Sequence, residues 1–125
     1  MRPNPVIDSQ DPERIAPFWS GLLGTQVTAR HGDGEYVVVG SLSDGFLLVI
    51  QRVPEPKVGK NRVHLDVPVA DLDEGTAQVE ALGGSWTEPG NTRELDGGFL
   101  WRCMADPEGN EFCIHQLPQA ATNRT

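Results

Sequence analysis

The strongest constraint in this chain is that it writes one plan twice. Asp11 to Gly24 reads DPERIAPFWSGLLG and Asp71 to Gly84 reads DLDEGTAQVEALGG, so the acidic cap and the glycine stop recur at an offset of 60 residues (11 to 71, 24 to 84). In the first copy Asp11 can accept from the open amides of a first turn, Pro12 suits the first helical position, and Gly24 can take the left-handed stop. Ile15, Phe18, Trp19, Leu22 and Leu23 keep the spacing of a buried stripe, and Trp19 is read as core. Pro17 lacks the amide for an internal bond and is expected to kink the helix. In the second copy Glu74 follows Asp71 in a capping pattern, and Leu72, Thr76, Val79 and Leu82 give the inward stripe.

A short apolar stretch precedes each helix, PVID at 5–8 and RVHLDVPV at 62–69. Three strand signals follow each one: QVTARH, EYVVVG and GFLLVIQRV, then SWTE, FLWRCM and NEFCIHQ. Gly-containing turns separate them at HGDG, SDG, NTRELDGG and ADPEG. The expected fold class is α+β: two β-α-β-β-β modules whose curved mixed sheets form a cleft. The modules span about 4–53 and about 62–117, with a linker at about 54–61 and a tail at about 118–125. Neither half holds enough apolar side chains for a core of its own, so the two are expected to close on one another within one domain.

With 125 residues and 38% apolar composition, one core is affordable and two are not. No run approaches the roughly 18 apolar residues needed to cross a bilayer, and the start MRPNPVIDSQ has no signal-peptide pattern, so a soluble cytoplasmic protein without a membrane partner is expected. The net charge of -8 disfavours phosphate backbones, and no nucleic-acid partner is expected. Cys103 and Cys113 read as free thiols.

Paired β-α-β-β-β modules with HLDVPVADLD opening the second and ADPEGNEFCIH closing it resemble the vicinal oxygen chelate superfamily, the glyoxalase/bleomycin-resistance/dioxygenase group, in its glyoxalase-like branch. The resemblance covers almost the whole chain and is carried most specifically by the His64 to Asp71 spacing and the hairpin from Asp106 to Phe112. It implies a site where four strand residues, usually His, Glu or Gln, converge on one divalent ion. His64 matches one such position, Asn4 is its counterpart at the 60-residue offset, Cys113 stands where the last-strand glutamate is usual, and Val49 or Gln51 is the first-module equivalent. That quartet is a poor cage, since Val49 offers no donor and the amides of Asn4 and Gln51 are weak neutral ones. His64 with Cys113 is the stronger pair, and His115, on the same face as Cys113, would make a three-ligand zinc site of unusual composition. No cofactor is expected, with a divalent metal as the alternative.

If Ala105 pairs with Asn110 across the DPEG turn, then Cys103 pairs with Phe112 and Arg102 with Cys113. In that register Trp101, Cys103, Phe112 and Ile114 face the helix, while Leu100, Arg102, Met104, Glu111, Cys113 and His115 face the cleft. The two cysteines then point to opposite sides of the sheet, which argues against a disulfide. By the same alternation His64 and Asp66 share the cleft face, and Val63, Leu65 and Val67 pack under the second helix. Trp86, beside turn residues, has no clear placement.

The candidate ligand-binding residues are therefore His64, Asp66, Gln51, Arg102, Glu111, Cys113 and His115. The leading expectation is a metal-independent module that binds a small organic molecule, neutral or cationic because Asp66 and Glu111 would share its pocket, in a protein that forms a homodimer. The alternative is an enzyme, a metal-dependent glyoxalase-like lyase, isomerase or dioxygenase.

Overall fold

The computed structural model describes residues 3–95 and 97–116, so the expected tail lies outside the described residues. The first half runs β1 (Val6–Ser9), α1 (Pro12–Leu23), β2 (Val27–His31), β3 (Tyr36–Gly40) and β4 (Leu47–Arg52). The second runs β5 (Asp66–Pro68), α2 (Leu72–Ala81), β6 (Ser85–Trp86), β7 (Arg93–Leu95), β8 (Phe99–Ala105) and β9 (Glu111–Gln116). The first sheet has the order β1-β4-β3-β2, and the second β5-β9-β8-β6 with β7 also on β8. Each sheet is mixed, because its first strand lies parallel to its last. The fold is α+β, and the internal repeat extends to register: Val6 pairs with Val49 as Asp66 pairs with Cys113.

The helices form where their caps and stripes put them. In α1, Ile15, Ala16, Phe18, Trp19 and Leu22 are buried, and Gly24 closes the helix at φ 69°. The Asp11 side chain, however, makes no cap hydrogen bond. Its backbone amide donates instead to Ser9 Oγ at 2.9 Å, because the seam between the two halves offers an acceptor there. The helix runs through Pro17, which sits on the exposed side, where water can reach the carbonyl that loses its partner. In α2 the Asp71 carboxylate accepts from the Glu74 amide at 2.9 Å, and Leu72, Gly75, Thr76 and Val79 are buried. This helix ends at Ala81, short of the Gly84 stop read from the sequence. Gly84 serves packing instead: a Cβ there would lie 2.6 Å from the Ala105 carbonyl oxygen and 2.7 Å from the Phe18 ring.

One core serves both halves. Val37, Val39, Leu48 and Ile50 from the first sheet and Val67, Met104, Phe112 and Ile114 from the second join the helix stripes in a single cluster. Phe18, Trp19 and Phe112 meet edge to face at its centre, with centroids 4.9–5.8 Å apart. Asp106, 3% exposed, clasps the halves together. Its carboxylate accepts from Trp19 Nε1 at 3.0 Å, from the Glu108 amide at 2.8 Å, and from the backbone and side-chain nitrogens of Asn110 at 2.9 and 3.0 Å. Asn110 Nδ2 also reaches the Asp8 carbonyl, and the Glu108 carboxylate accepts from Ser9 Oγ and the Gln10 amide. The DPEGN turn is thus the point where the second half grips the first.

Three local expectations are corrected. The NTREL segment, read as turn, contributes the edge strand β7, paired by Arg93 with Trp101 and Leu95 with Phe99. Only Asp66–Pro68 of the stretch before α2 is strand, and Val63, read as core, is 82% exposed because it lies ahead of any pairing.

The third correction has the largest consequence. The β8–β9 hairpin is shifted by one residue from the expected register: Ala105 pairs with Glu111, Cys103 with Cys113 and Trp101 with His115. Asp106 and Asn110 close the turn themselves, Asp106 N donating to the Asn110 carbonyl at 2.8 Å and leaving a three-residue loop that ends on Gly109 at φ 89°. That is a common hairpin loop, with glycine in the left-handed position. The slip keeps the assignment of β9 and inverts that of β8, so Arg102 and Met104 lie on the helix side while Trp101 and Cys103 lie opposite.

Candidate functional site

The sheet face of the second half turned away from the helices carries a pocket of about 440 Å³. His64, Glu111 and Cys113 line it together with Trp101, Cys103, Lys60, Asn61, Thr87, Glu88 and Arg93. Trp101 and Cys103 arrive through the β8 parity just described, and Arg93 through β7. The linker supplies Lys60 and Asn61, held against β9 by a reciprocal pair: the Asn61 amide donates to Glu111 Oε1 at 2.9 Å, and the Glu111 amide donates to Asn61 Oδ1 at 3.0 Å. Asp66 stands beside the pocket, its carboxylate 3.7 Å from His64 Nε2, and both side chains are about half exposed.

The other three of the seven candidates are placed as follows, beginning with Arg102. It is 11% exposed and belongs to the helix side. Its Nη1 donates to Thr76 Oγ1 at 2.7 Å and Leu72 O at 3.3 Å, its Nη2 to Asp73 at 2.9 Å and its Nε to Thr92 at 2.9 Å. The guanidinium also lies 4.2 Å from the ring centroid of Trp86, which gives Trp86 its place. Arg102 therefore fixes the first turn of α2; the cleft placement read from the sequence is overturned by the register. His115 is on the expected face but one pleat beyond Cys113, stacked on Phe99 at 5.2 Å and outside the pocket lining. Its Nδ1 is buried without a hydrogen-bond partner. Gln51 lies on the first sheet, paired with Asp8 and Tyr36.

Cys113 completes the inventory of the expected quartet, and the register pairs equate it with Val49, as aligning the last strands of the two modules does. Asn4 is exposed ahead of β1, and Val49 is half-buried on the first sheet. Among the described residues, no side chain of the first half lines the pocket that holds His64.

The donor set does not fit the divalent ion implied by the resemblance. Val49 has no donor atom. The Cys113 thiol is pushed up to about 12, first by burial and then by the neighbouring Cys103 and Asp66, so ligating a metal would have to release that proton. A tighter grouping does exist, in which donor atoms of His64, Asp66 and Cys113 lie within 4.8 Å of one another. It draws on the second half alone.

The charges of the pocket are largely spoken for. Arg93 pairs with Glu88 at 2.6 Å and holds that carboxyl below the usual glutamate range through their hydrogen bond. Lys60 lies 3.7 Å from Glu111. The Cys103 and Cys113 sulfurs, expected on opposite sides of the sheet, lie on one side 3.9 Å apart as free thiols, because the two residues are cross-strand partners. Sequence parity missed Trp101 and Cys103, and the signal that could have placed them is the three-residue loop Pro107–Gly109, whose glycine fixes the hairpin count.

No curated protein sequence matches the chain. Solved structures do. A glyoxalase/bleomycin resistance protein from Catenulispora acidiphila is similar at 21% identity and TM-score 0.65, over 94% of this chain and 99% of that one. A glyoxalase/bleomycin resistance protein/dioxygenase family enzyme from Burkholderia phytofirmans is similar at 14% identity and TM-score 0.73, over 90% and 94%. A lactoylglutathione lyase from Agrobacterium tumefaciens is similar at 16% identity and TM-score 0.65, over 92% of each chain. At these identities the likeness is one of fold. No helix among the described residues is long and apolar enough to cross a membrane. With the paired β-α-β-β-β repeat in hand, and a glyoxalase-like domain family matched over residues 4–115, the chain belongs to the glyoxalase-like domain family of the vicinal oxygen chelate superfamily.

Proposed function

We propose that this protein binds a small neutral or cationic organic molecule in the pocket beside His64, without a metal, as a binding module of the bleomycin-resistance kind. One observation carries the reading: both basic groups of the pocket are already matched to carboxylates, Arg93 to Glu88 and Lys60 to Glu111, while Asp66 among the described residues pairs with the His64 imidazole alone, at 3.7 Å. An anion would have to displace a glutamate from its partner; a cation is attracted by Asp66, which stands beside the pocket next to His64, and the Trp101 ring offers an apolar wall.

A calorimetric or thermal-shift screen of cationic, neutral and anionic small molecules tests this, followed by Asp66→Asn, Glu111→Gln and His64→Ala. Binding should weaken in the carboxylate variants while stability changes by less than about 1 kcal/mol, as for partly exposed positions. Hits confined to anions, or full-strength binding in all three variants, would refute it.

A metal-dependent lyase, isomerase or dioxygenase is the second reading, favoured by the His64, Asp66 and Cys113 grouping. Metal analysis of untagged, chelator-free protein separates the two. Well under one equivalent of any transition metal is expected, and stoichiometric metal lost in His64→Ala would favour the enzyme.

A homodimer in a cytoplasmic setting goes with the proposal. Half-buried Tyr36, Val38, Leu47 and Val49 alternate with the core residues of the first sheet and so share its outer face, which a second copy could cover. Sedimentation at micromolar concentration checks it, and a clean monomer would count against it.

A further inference from the structure

The hairpin that walls the pocket sets the only two cysteines of the chain directly opposite one another, Cys103 on β8 and Cys113 on β9. Their backbones turn outward at this point: the Cys113 amide donates to Leu65 O, and Cys103 O accepts from the Thr87 amide. The pair therefore occupies a site where β8 and β9 make no hydrogen bond to each other. Such antiparallel sites bring Cα atoms to about 4.5 Å, against about 5.5 Å at the alternate sites. That spacing falls inside the range of roughly 4.4–6.8 Å that a disulfide accepts. With the sulfurs already 3.9 Å apart, side-chain rotation can bring them to bonding distance without any change of register. The two thiols differ in access. Cys113 is 7% exposed, whereas Cys103 is half-buried and lines the pocket, so an external reagent reaches Cys103 first.

We infer that Cys103 and Cys113 are a reversible dithiol–disulfide pair in the pocket wall, Cys103 meeting an external low-molecular-weight disulfide and Cys113 resolving it. The Cys103 thiolate attacks one sulfur of oxidised glutathione, breaking its S–S bond and releasing one glutathione thiolate. The released glutathione thiolate takes the Cys113 proton, and the Cys113 sulfur attacks Cys103 Sγ, breaking the mixed disulfide and releasing the second glutathione. The protein loses two thiol protons and two electrons, and both glutathione molecules leave reduced and protonated. The inference does not depend on what the pocket binds, so the fate of the ligand reading leaves it standing or falling on its own test.

The folded, reduced protein is equilibrated with oxidised glutathione at neutral pH, quenched in acid, alkylated after unfolding, and weighed and mapped by mass spectrometry. The expected product is a monomer lighter by two hydrogens that takes up no alkyl group and yields one peptide pair linking Cys103 to Cys113, all reversed by a dithiol reductant. Cys113→Ser should stop at a glutathione adduct on Cys103, and Cys103→Ser should stay unmodified. Wild-type protein that retains both alkylatable thiols, keeps a stable glutathione adduct, or forms only chain-to-chain disulfides would overturn the inference. The wild-type outcome decides it even where a serine variant fails to fold.

Discussion

Removing the Asp106 carboxylate is expected to be among the most damaging single substitutions in this protein. Asp106→Ala strips the acceptor from four donors, of which Trp19 Nε1 and both Asn110 nitrogens lie in buried surroundings, Trp19 being 1% and Asn110 8% exposed. A buried donor left without a partner costs about 1–3 kcal/mol. Three of them at the low end of that range, with the Glu108 amide left to water, give a loss of about 3–5 kcal/mol. For a chain of this length that corresponds to a fall in Tm of about 10–20 °C. Trp19→Phe keeps the aromatic packing and removes one donor, so about 1–2 kcal/mol is expected. Because the two residues share a hydrogen bond, the double variant should cost less than the sum of the singles. Urea unfolding followed by far-ultraviolet circular dichroism measures all three without relying on Trp19 fluorescence. A cost below about 1 kcal/mol for Asp106→Ala, or strict additivity in the cycle, would refute the clasp.

Arg102→Leu should destabilise by about 2 kcal/mol, since it frees Thr76 Oγ1 and Asp73 and removes the cation over Trp86; urea unfolding reads this, and full stability would restore Arg102 to the pocket side. Cys113 should contribute a high-pH weakening: its folded pKa, about 12, lies above the unfolded thiol value, so the native state keeps the proton longer and stability is lost as pH rises from about 9 toward 12. Denaturation midpoints measured across that window should fall in the parent and fall less in Cys113→Ala.

Much of the fold is legible in the sequence because its signals are local. The cap of Asp71 on Glu74, the stripe from Ile15 to Leu22 and the glycine stop at Gly24 each depend on neighbours within one or two turns, and the 60-residue offset shows that the two halves share a plan. The strands follow from alternation in the same way, and the family follows from the order of these elements with the DPEG hairpin. Alternation gives a period, though, and not a phase. Whether Arg102 or Cys103 faces the pocket depends on how many residues the turn at Asp106 absorbs, and that count is set by Asp106 and Asn110 bonding to each other and to Trp19, 87 residues away along the chain. One residue of slip moves an arginine from the pocket to the first turn of α2 and turns two separated thiols into a contact pair. The sequence by itself determined the elements, their order and the repeat, which are properties of short windows. Only the tertiary structure decided that Asp106 meets Trp19, that Arg102 meets α2 and that the two cysteines face one another, because those contacts depend on the relative placement of segments that no short window contains.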